Sequence, residues 1–221
     1  MTDIKEMKNI NEYESAEAFY KEYTEGAIYD QQDVELSLEK PALLVVDMLN
    51  DFCTPGGVMY MEKAAETYEP IQNLLKAFRE TNNCIIFIKD QHRADQYDSE
   101  FDKRPKHCIE GTWGANVIDE LAPEKGEMEL IKRRFSGFYQ TDLDLVLRER
   151  DIKTLVVTGV MTNVCVAATA QDGFFRNYNI IVPTDTCRAN SFREQESTLY
   201  NITQNVGLTP TSDEVIKALT K

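Results

Sequence analysis

The sequence predicts an α/β protein whose parallel central sheet is covered by helices on both faces. Two observations carry that expectation. From Pro41 onward, short β-rich apolar runs alternate with stretches whose apolar residues recur at helical spacing, and a βαβα alternation implies parallel strands joined by right-handed crossovers. The chain has 221 residues, 42% of them hydrophobic, with ten Phe and ten Tyr. That is apolar surface enough for one core, and too little length for two typical domains.

Taken in order, residues 1–40 are acidic and rich in Tyr and Glu, and Ala16, Phe19, Tyr20 and Tyr23 follow a helical rhythm without β-like alternation. They read as an N-terminal helical extension, laid over the core or serving as a lid or subunit contact, ahead of one domain spanning 41–221. The first strand is Ala42–Val46, followed by a helix through Ile71, Leu74, Leu75 and Phe78. Strands at Cys84–Ile88 and Met128–Ile131 come next, then a helix through Leu143, Val146 and Leu147. A fourth strand, Thr154–Thr158, leads to a helix through Val164, Ala167, Ala168 and Phe175, and Asn179–Val182 is the fifth strand. No internal repeat is visible.

The net charge of −14 argues against nucleic acid as a partner, because phosphate binding relies on clustered Lys and Arg. Met1–Tyr13 is charged and lacks the apolar segment of a signal peptide, and no run approaches the roughly 18 apolar residues of a membrane span. A cytoplasmic protein is expected. The five cysteines (Cys53, Cys84, Cys108, Cys165, Cys187) are odd in number and lack CxxC spacing, which fits reduced thiols.

In open parallel sheets the ligand crevice lies beyond the carboxyl ends of the strands. Here the first strand ends in Asp47, the second leads to Asp90 and His92, the third ends in Lys132, and the fourth passes through Gly159 to Cys165. Residues Thr158–Cys165 read as a strand, a glycine turn, a Thr162/Asn163 pair suited to capping, and a cysteine in the first helical turn. A helix N-terminus and a nearby cation lower a thiol pKa, so a thiolate is expected. The backbone N–H groups of Met161 and Cys165 are candidates for an oxyanion hole. The alternative for any cysteine is a buried, inert thiol. Asp47 is a candidate to accept the thiol proton and return it to departing ammonia, with its pKa raised by burial, or else a loop cap. Lys132 either holds Asp47 in place or is a solvated cation.

Three segments in order, Val45-Val46-Asp47-Met48-Leu49-Asn50-Asp51-Phe52, Lys132-Arg133-Arg134-Phe135-Ser136-Gly137-Phe138 and Thr158-Gly159-Val160-Met161-Thr162-Asn163-Val164-Cys165, resemble the isochorismatase-like cysteine hydrolase superfamily. The resemblance covers about residues 41–187. It implies a flavodoxin-like three-layer sandwich, an Asp47/Lys132/Cys165 triad, and a cis peptide between Val160 and Met161 that shapes the oxyanion hole. Leu49 stands where many members carry Gln, and compact members lack the long N-terminal segment.

The only two histidines, His92 and His107, share one segment with Asp90 and Glu100. Two imidazoles with carboxylates suit Zn²⁺, Mn²⁺ or Fe²⁺ with open coordination positions. The set Asp90, His92, Glu100 and His107 resembles the metal ligands of nicotinamidases, and Gly111-Thr112-Trp113-Gly114 resembles the turn that follows them. This implies a divalent transition metal, zinc first, that binds the pyridine nitrogen of nicotinamide and sets its carboxamide against Cys165. Phe52, Phe135 and Trp113 are candidate ring walls, or ordinary core packing. The expected function is nicotinamide hydrolysis through a thioester, in a homo-oligomer acting on a small amide. A metal-free hydrolase of another carbamoyl or ureido amide is the alternative.

Overall fold

A computed structural model describes residues 36–220, and in it the five apolar runs form one parallel sheet. The strands are β1 (Pro41–Val46), β2 (Cys84–Asp90), β3 (Met128–Lys132), β4 (Thr154–Val160) and β5 (Asn179–Ile181), in the order β3-β2-β1-β4-β5. A two-residue strand, β6 (Cys187–Arg188), pairs with Gly159 and Val160 of β4. The sequence reading did not include it, since two residues leave no periodicity. Residues 1–35 of the predicted helical extension lie outside those described, and residues 36–40 form no helix, with Leu36 and Leu38 packed against the core.

β1 is wholly buried because it is flanked on both sides: Leu44 lies opposite Ile86 of β2 and Val157 of β4. That explains its uninterrupted apolar sequence, PALLVV. Its side chains divide between two cores. Leu43 and Val45 pack with Ile71, Leu74, Leu75 and Phe78 of α2 (Tyr68–Glu80) and with Val215 of α6 (Ser212–Leu219). Ala42, Leu44 and Val46 pack with Leu143 and Leu147 of α3 (Leu143–Glu149), Ala170 of α4 (Ala167–Phe174), and Leu199 and Ile202 of α5 (Phe192–Asn205). Each fully buried Val, Leu, Ile or Phe among them contributes about 1.5–3 kcal/mol of transfer free energy, so both layers are needed to hold the sheet.

The one-turn helix α1 (Asn50–Cys53) follows β1 directly. Both C-terminal helices start at capping boxes, Ser191 with Glu194 for α5 and Thr211 with Glu214 for α6. The three-layer α/β/α class matches the expectation. Within it, the strand order reverses between β1 and β4, whereas a flavodoxin order would place the switch between β1 and β3. The ends of β1 and β4 therefore border the crevice. They approach closely at Gly159, whose φ is +110°, and a Cβ there would lie 1.9 Å from the Val46 carbonyl oxygen.

Candidate active site

The ends of β1, β2 and β3 each bring a charged side chain to this rim. Asp47 follows β1 in the left-handed region, with φ of 54°, and its backbone N–H still donates to Ile88 O of β2 at 2.9 Å. The carboxylate is thereby turned into the rim, where Oδ1 accepts the Asp90 backbone N–H at 2.7 Å. Lys132, the last residue of β3, lies wholly buried with Nζ 2.9 Å from Asp47 Oδ2, 3.4 Å from Asp90 Oδ1 and 3.5 Å from Cys165 Sγ. One ammonium thus holds two carboxylates and faces the sulfur. The Lys132–Asp47 contact has ion-pair distance without hydrogen-bond direction, so Asp47 Oδ2 keeps a lone pair for another donor. The Cys165 thiol and that carboxylate share the Lys132 ammonium.

Cys165 reaches the rim by a special backbone path. β4 ends in a cis peptide between Val160 and Met161, and residues Thr162–Val166 form a single π-helical turn before α4 begins. The cis bond is the one the resemblance implied. Of the five cysteines, Cys165 is the one that lines the cleft, together with Phe52, Met59, Asp90, Glu100, Arg104, His107, Phe135, Val160, Met161 and Val164. The space between them is about 340 Å³ including its open mouth.

The electrostatics correct one expectation. Burial pushes Asp47 up to about 6, against the pull of Lys132. Burial also raises the Cys165 thiol well above its ordinary value, and the Asp47 charge adds to this more than Lys132 subtracts. The sequence reading expected a thiolate stabilised by a helix end and a cation. It overlooked the two carboxylates that share the buried pocket, which favour the neutral thiol. For Lys132, desolvation is outweighed by Asp47, Cys165 and Asp90, and it remains an ammonium. Burial penalises ionised Asp90, but the Lys132 ammonium and the two imidazoles that face it hold it well below the usual carboxylate range.

On the far side of Asp90 stand the two imidazoles. His92 Nε2 is 3.4 Å and His107 Nε2 is 3.6 Å from Asp90 Oδ2, and one ligand atom from each of the three residues lies within 4.8 Å of the others. Both rings are oriented from behind. His92 Nδ1 pairs with Asp98 Oδ2 at 2.8 Å, and His107 Nδ1 with Pro105 O at 2.8 Å. Each ring thus turns Nε2 toward Asp90, and His92 Nε2 is buried with no hydrogen-bond partner. A buried, orphaned acceptor beside a carboxylate fits a divalent metal, and a carboxylate behind the ring is the usual support for a metal-binding histidine.

Glu100 lines the same cleft, but its carboxylate stands outside the Asp90/His92/His107 group and faces Arg134 at 3.8 Å. Phe52 and Phe135 line the cleft, and Phe52 also packs on His107 at 5.5 Å between ring centroids. Trp113 does not line it. The short 3-10 turn at Trp113–Ala115 leaves the indole half exposed and uses the backbone instead, with Trp113 O accepting from Asn50 Nδ2.

Sequence reasoning missed three contributors. Asp98 orients His92, yet as one acid in a polar loop it carried no sequence signal. Asp51 accepts the Cys108 backbone N–H at 2.6 Å and the Val58 N–H at 3.1 Å, fixing the loop that carries His107. Gly114 packs so closely on the Asp51 carboxylate that a Cβ would lie 2.2 Å from Oδ2. The buried position of Asp51 on the apolar turn after β1 was the available clue. Arg104 is the third.

The sequence matches the family model of the isochorismatase domain over residues 41–214. Among solved structures, an isochorismatase-like hydrolase from Alkaliphilus metalliredigens is similar at 36% identity, covering 81% of this chain and 99% of that one with a TM-score of 0.77. An N-carbamoylsarcosine amidase from Thermoplasma acidophilum is similar at 36% identity over 79% of this chain and 98% of that one, with a TM-score of 0.72. A nicotinamidase from Bacillus subtilis is similar at 30% identity over 78% of this chain and the whole of that one, with a TM-score of 0.73.

Proposed function

The chain belongs to the isochorismatase family of hydrolases, and from that premise we propose that it is a nicotinamidase, converting nicotinamide to nicotinate and ammonia. The observation that carries this reading is the orphaned Nε2 of His92 beside Asp90 and His107, on the same rim as Cys165. Asp90, His92 and His107 would hold a divalent transition metal, zinc in this proposal, with Glu100 as a direct or water-mediated fourth ligand. When bound, the ion supplies a docking point for a ring nitrogen.

This chain's own residues do the rest. The Cys165 thiol passes its proton to Asp47 as sulfur attacks the amide carbon, so the thiolate forms only as it reacts. The backbone N–H groups of Met161 and Cys165 receive the developing oxyanion. Lys132 keeps Asp47 ionised and in place. Asp47 then returns the proton to the leaving nitrogen, ammonia departs, and water hydrolyses the thioester with Asp47 again as base. Phe52 and Phe135 wall the ring. The domain is proposed to span 41–221.

The similarity to an N-carbamoylsarcosine amidase supports a second reading, hydrolysis of a carbamoyl or ureido amide by the same three residues. Ammonia release from nicotinamide, pyrazinamide and carbamoyl amides decides between them. Turnover of nicotinamide that is lost in Cys165→Ala, His92→Ala and His107→Ala is expected. Turnover of carbamoyl amides alone, unaffected by loss of the histidines, would transfer the assignment to the second reading.

A further inference from the structure

One buried side chain on α5 reaches the turn that carries Cys165 without entering the cleft. The capping box at Ser191 starts α5, so Gln195 falls in its first turn, where side chains lean back toward the helix N-terminus. The Gln195 amide is thereby turned toward β6, and the residue is 6% exposed. Its Oε1 accepts the Ala189 backbone N–H at 2.9 Å and its Nε2 donates to Cys187 O at 3.1 Å. These two bonds fix the orientation of the amide, since a backbone N–H meets only the oxygen and a carbonyl only the nitrogen. The remaining lone pair of Oε1 accepts the Thr162 hydroxyl at 2.8 Å. Thr162 is fully buried and opens the π turn Thr162–Val166. The β4–β6 ladder ends at Val160 and Arg188, so Gln195 continues the link from β6 into the turn where backbone pairing stops. Neither Gln195 nor Thr162 lines the cleft.

We propose that Gln195 is a positioning residue for the reaction: through the Thr162 hydroxyl it fixes the turn from Met161 to Cys165, and with it the sulfur and the N–H groups assigned to the oxyanion. The inference rests on the reading of amide hydrolysis at Cys165 and deepens it. Burying a primary amide costs free energy unless its groups are paired, and an apolar side chain would fill the same space without that cost. What the amide adds is direction, because one planar group holds Cys187, Ala189 and Thr162 at set distances. Inside the turn, Met161 O accepts the N–H groups of Val164 at 3.0 Å and Val166 at 3.3 Å, so the turn is bonded to itself and moves as a unit. Any shift of that unit displaces the sulfur and the oxyanion donors together. A misplacement of about 1 Å by a change remote from the chemistry costs roughly 10²-fold in rate. The loss falls on kcat, since the proposed ring walls Phe52 and Phe135 stand elsewhere in the chain.

The test separates the hold of Gln195 on β6 from its link to the turn. Thr162→Val removes only the hydroxyl and leaves Gln195 bonded to Ala189 and Cys187, Gln195→Leu removes the whole set, and Thr162→Ser keeps the hydroxyl. For each variant, kcat and KM are measured on the panel amide that the parent hydrolyses, and folding by circular dichroism and denaturant titration. Alkylation of Cys165 by iodoacetamide is followed by mass spectrometry. In folded Thr162→Val and Gln195→Leu, kcat is expected to fall about 10²-fold with KM nearly unchanged and alkylation slowed, while Thr162→Ser stays close to the parent. In the Thr162→Val/Gln195→Leu double variant the loss stays close to that of Gln195→Leu alone, because both changes cut one link. Parent-like kcat in Thr162→Val overturns the proposal whatever Gln195→Leu does, and so do losses that multiply in the double variant or that appear in KM alone. If Gln195→Leu fails to fold, Thr162→Val against Thr162→Ser decides. Absence of ammonia from every amide with the parent protein sinks the hydrolytic reading, and alkylation then decides alone. Slowing in Thr162→Val that Thr162→Ser repairs sustains the positioning role, and equal rates in all variants overturn it.

Discussion

Asp47 is the residue on which the proposed proton transfers turn, and its environment sets a pH limit. Burial pushes its pKa up to about 6. Below that value Asp47 carries a solvent proton and has no capacity for the one on Cys165, while above it the base is available and the neutral thiol remains the donor. The rate on the preferred amide is therefore expected to fall as pH drops through about 6 and to level off above 7. The apparent value belongs to the interacting Asp47, Lys132 and Cys165 together. Asp47→Asn should lower kcat/KM by about 10²–10⁴-fold and remove the acidic limb, as a pH–rate profile of both proteins reads directly. A limb that persists unchanged in the folded Asp47→Asn protein rules Asp47 out as the base. At this scale the sequence was informative about type and silent about environment. Asp47, Lys132, Cys165, Asp90 and the two histidines were legible because each follows a recognisable strand or motif. The direction of the thiol shift was not, because it depends on how close Asp47 and Asp90 come across three strands.

Elements were legible where they are periodic and long. The five strands and the helices through Ile71 and Leu143 fell where the apolar spacing placed them, with ends that shift by one or two residues. β6 was missed because it is two residues, and the π turn at Thr162–Val166 because it differs from an α-helix only in its hydrogen-bond closure. The strand order also escaped the sequence, since periodicity identifies strands but not their neighbours. Gly159 shows what the topology demands of one position. It couples β1 to β4 at the switch point, with φ of +110° and the Val46 carbonyl oxygen 1.9 Å from where a methyl group would stand. Gly126 has a similar φ of +101° with open space around it. Gly126→Ala should therefore lose only the conformational term, about 1–2 kcal/mol, whereas Gly159→Ala should lose a further 1–3 kcal/mol or so from overpacking. Chemical denaturation of both variants measures the difference. Equal losses would mean that β1 and β4 can part at Gly159 without penalty, against the close approach seen here.

For the molecule as a whole, the Asp90/His92/His107 group ties separate parts of the chain together: the end of β2, the loop to His107 and, through the Lys132 ammonium on Asp90 Oδ1, the end of β3. A ligand that binds this arrangement only when it is assembled stabilises the folded chain by linkage, about 2.7 kcal/mol at a hundredfold excess over Kd. For a chain of this size each kcal/mol moves Tm by roughly 2–4 °C, so the metal-loaded protein is expected to melt about 5–10 °C above the chelator-stripped one. The variants make the shift diagnostic, because stability is read without turnover. Cys165→Ala leaves the three candidate ligands in place and should keep the whole shift. His92→Ala and His107→Ala each remove one nitrogen and should abolish most of it. Asp98→Ala leaves all three ligands but frees the back of the His92 ring, and a 10- to 100-fold loss of metal affinity is typical for such a change. Its shift should thus return only at higher metal concentration. Calorimetric melting across a zinc titration, with elemental analysis of the loaded protein, distinguishes these cases. An equal shift in parent and His92→Ala would place the metal elsewhere on the acidic surface. No shift in the reconstituted parent would separate the hydrolytic residues from any metal and favour the carbamoyl or ureido amide, for which Asp47, Lys132 and Cys165 suffice.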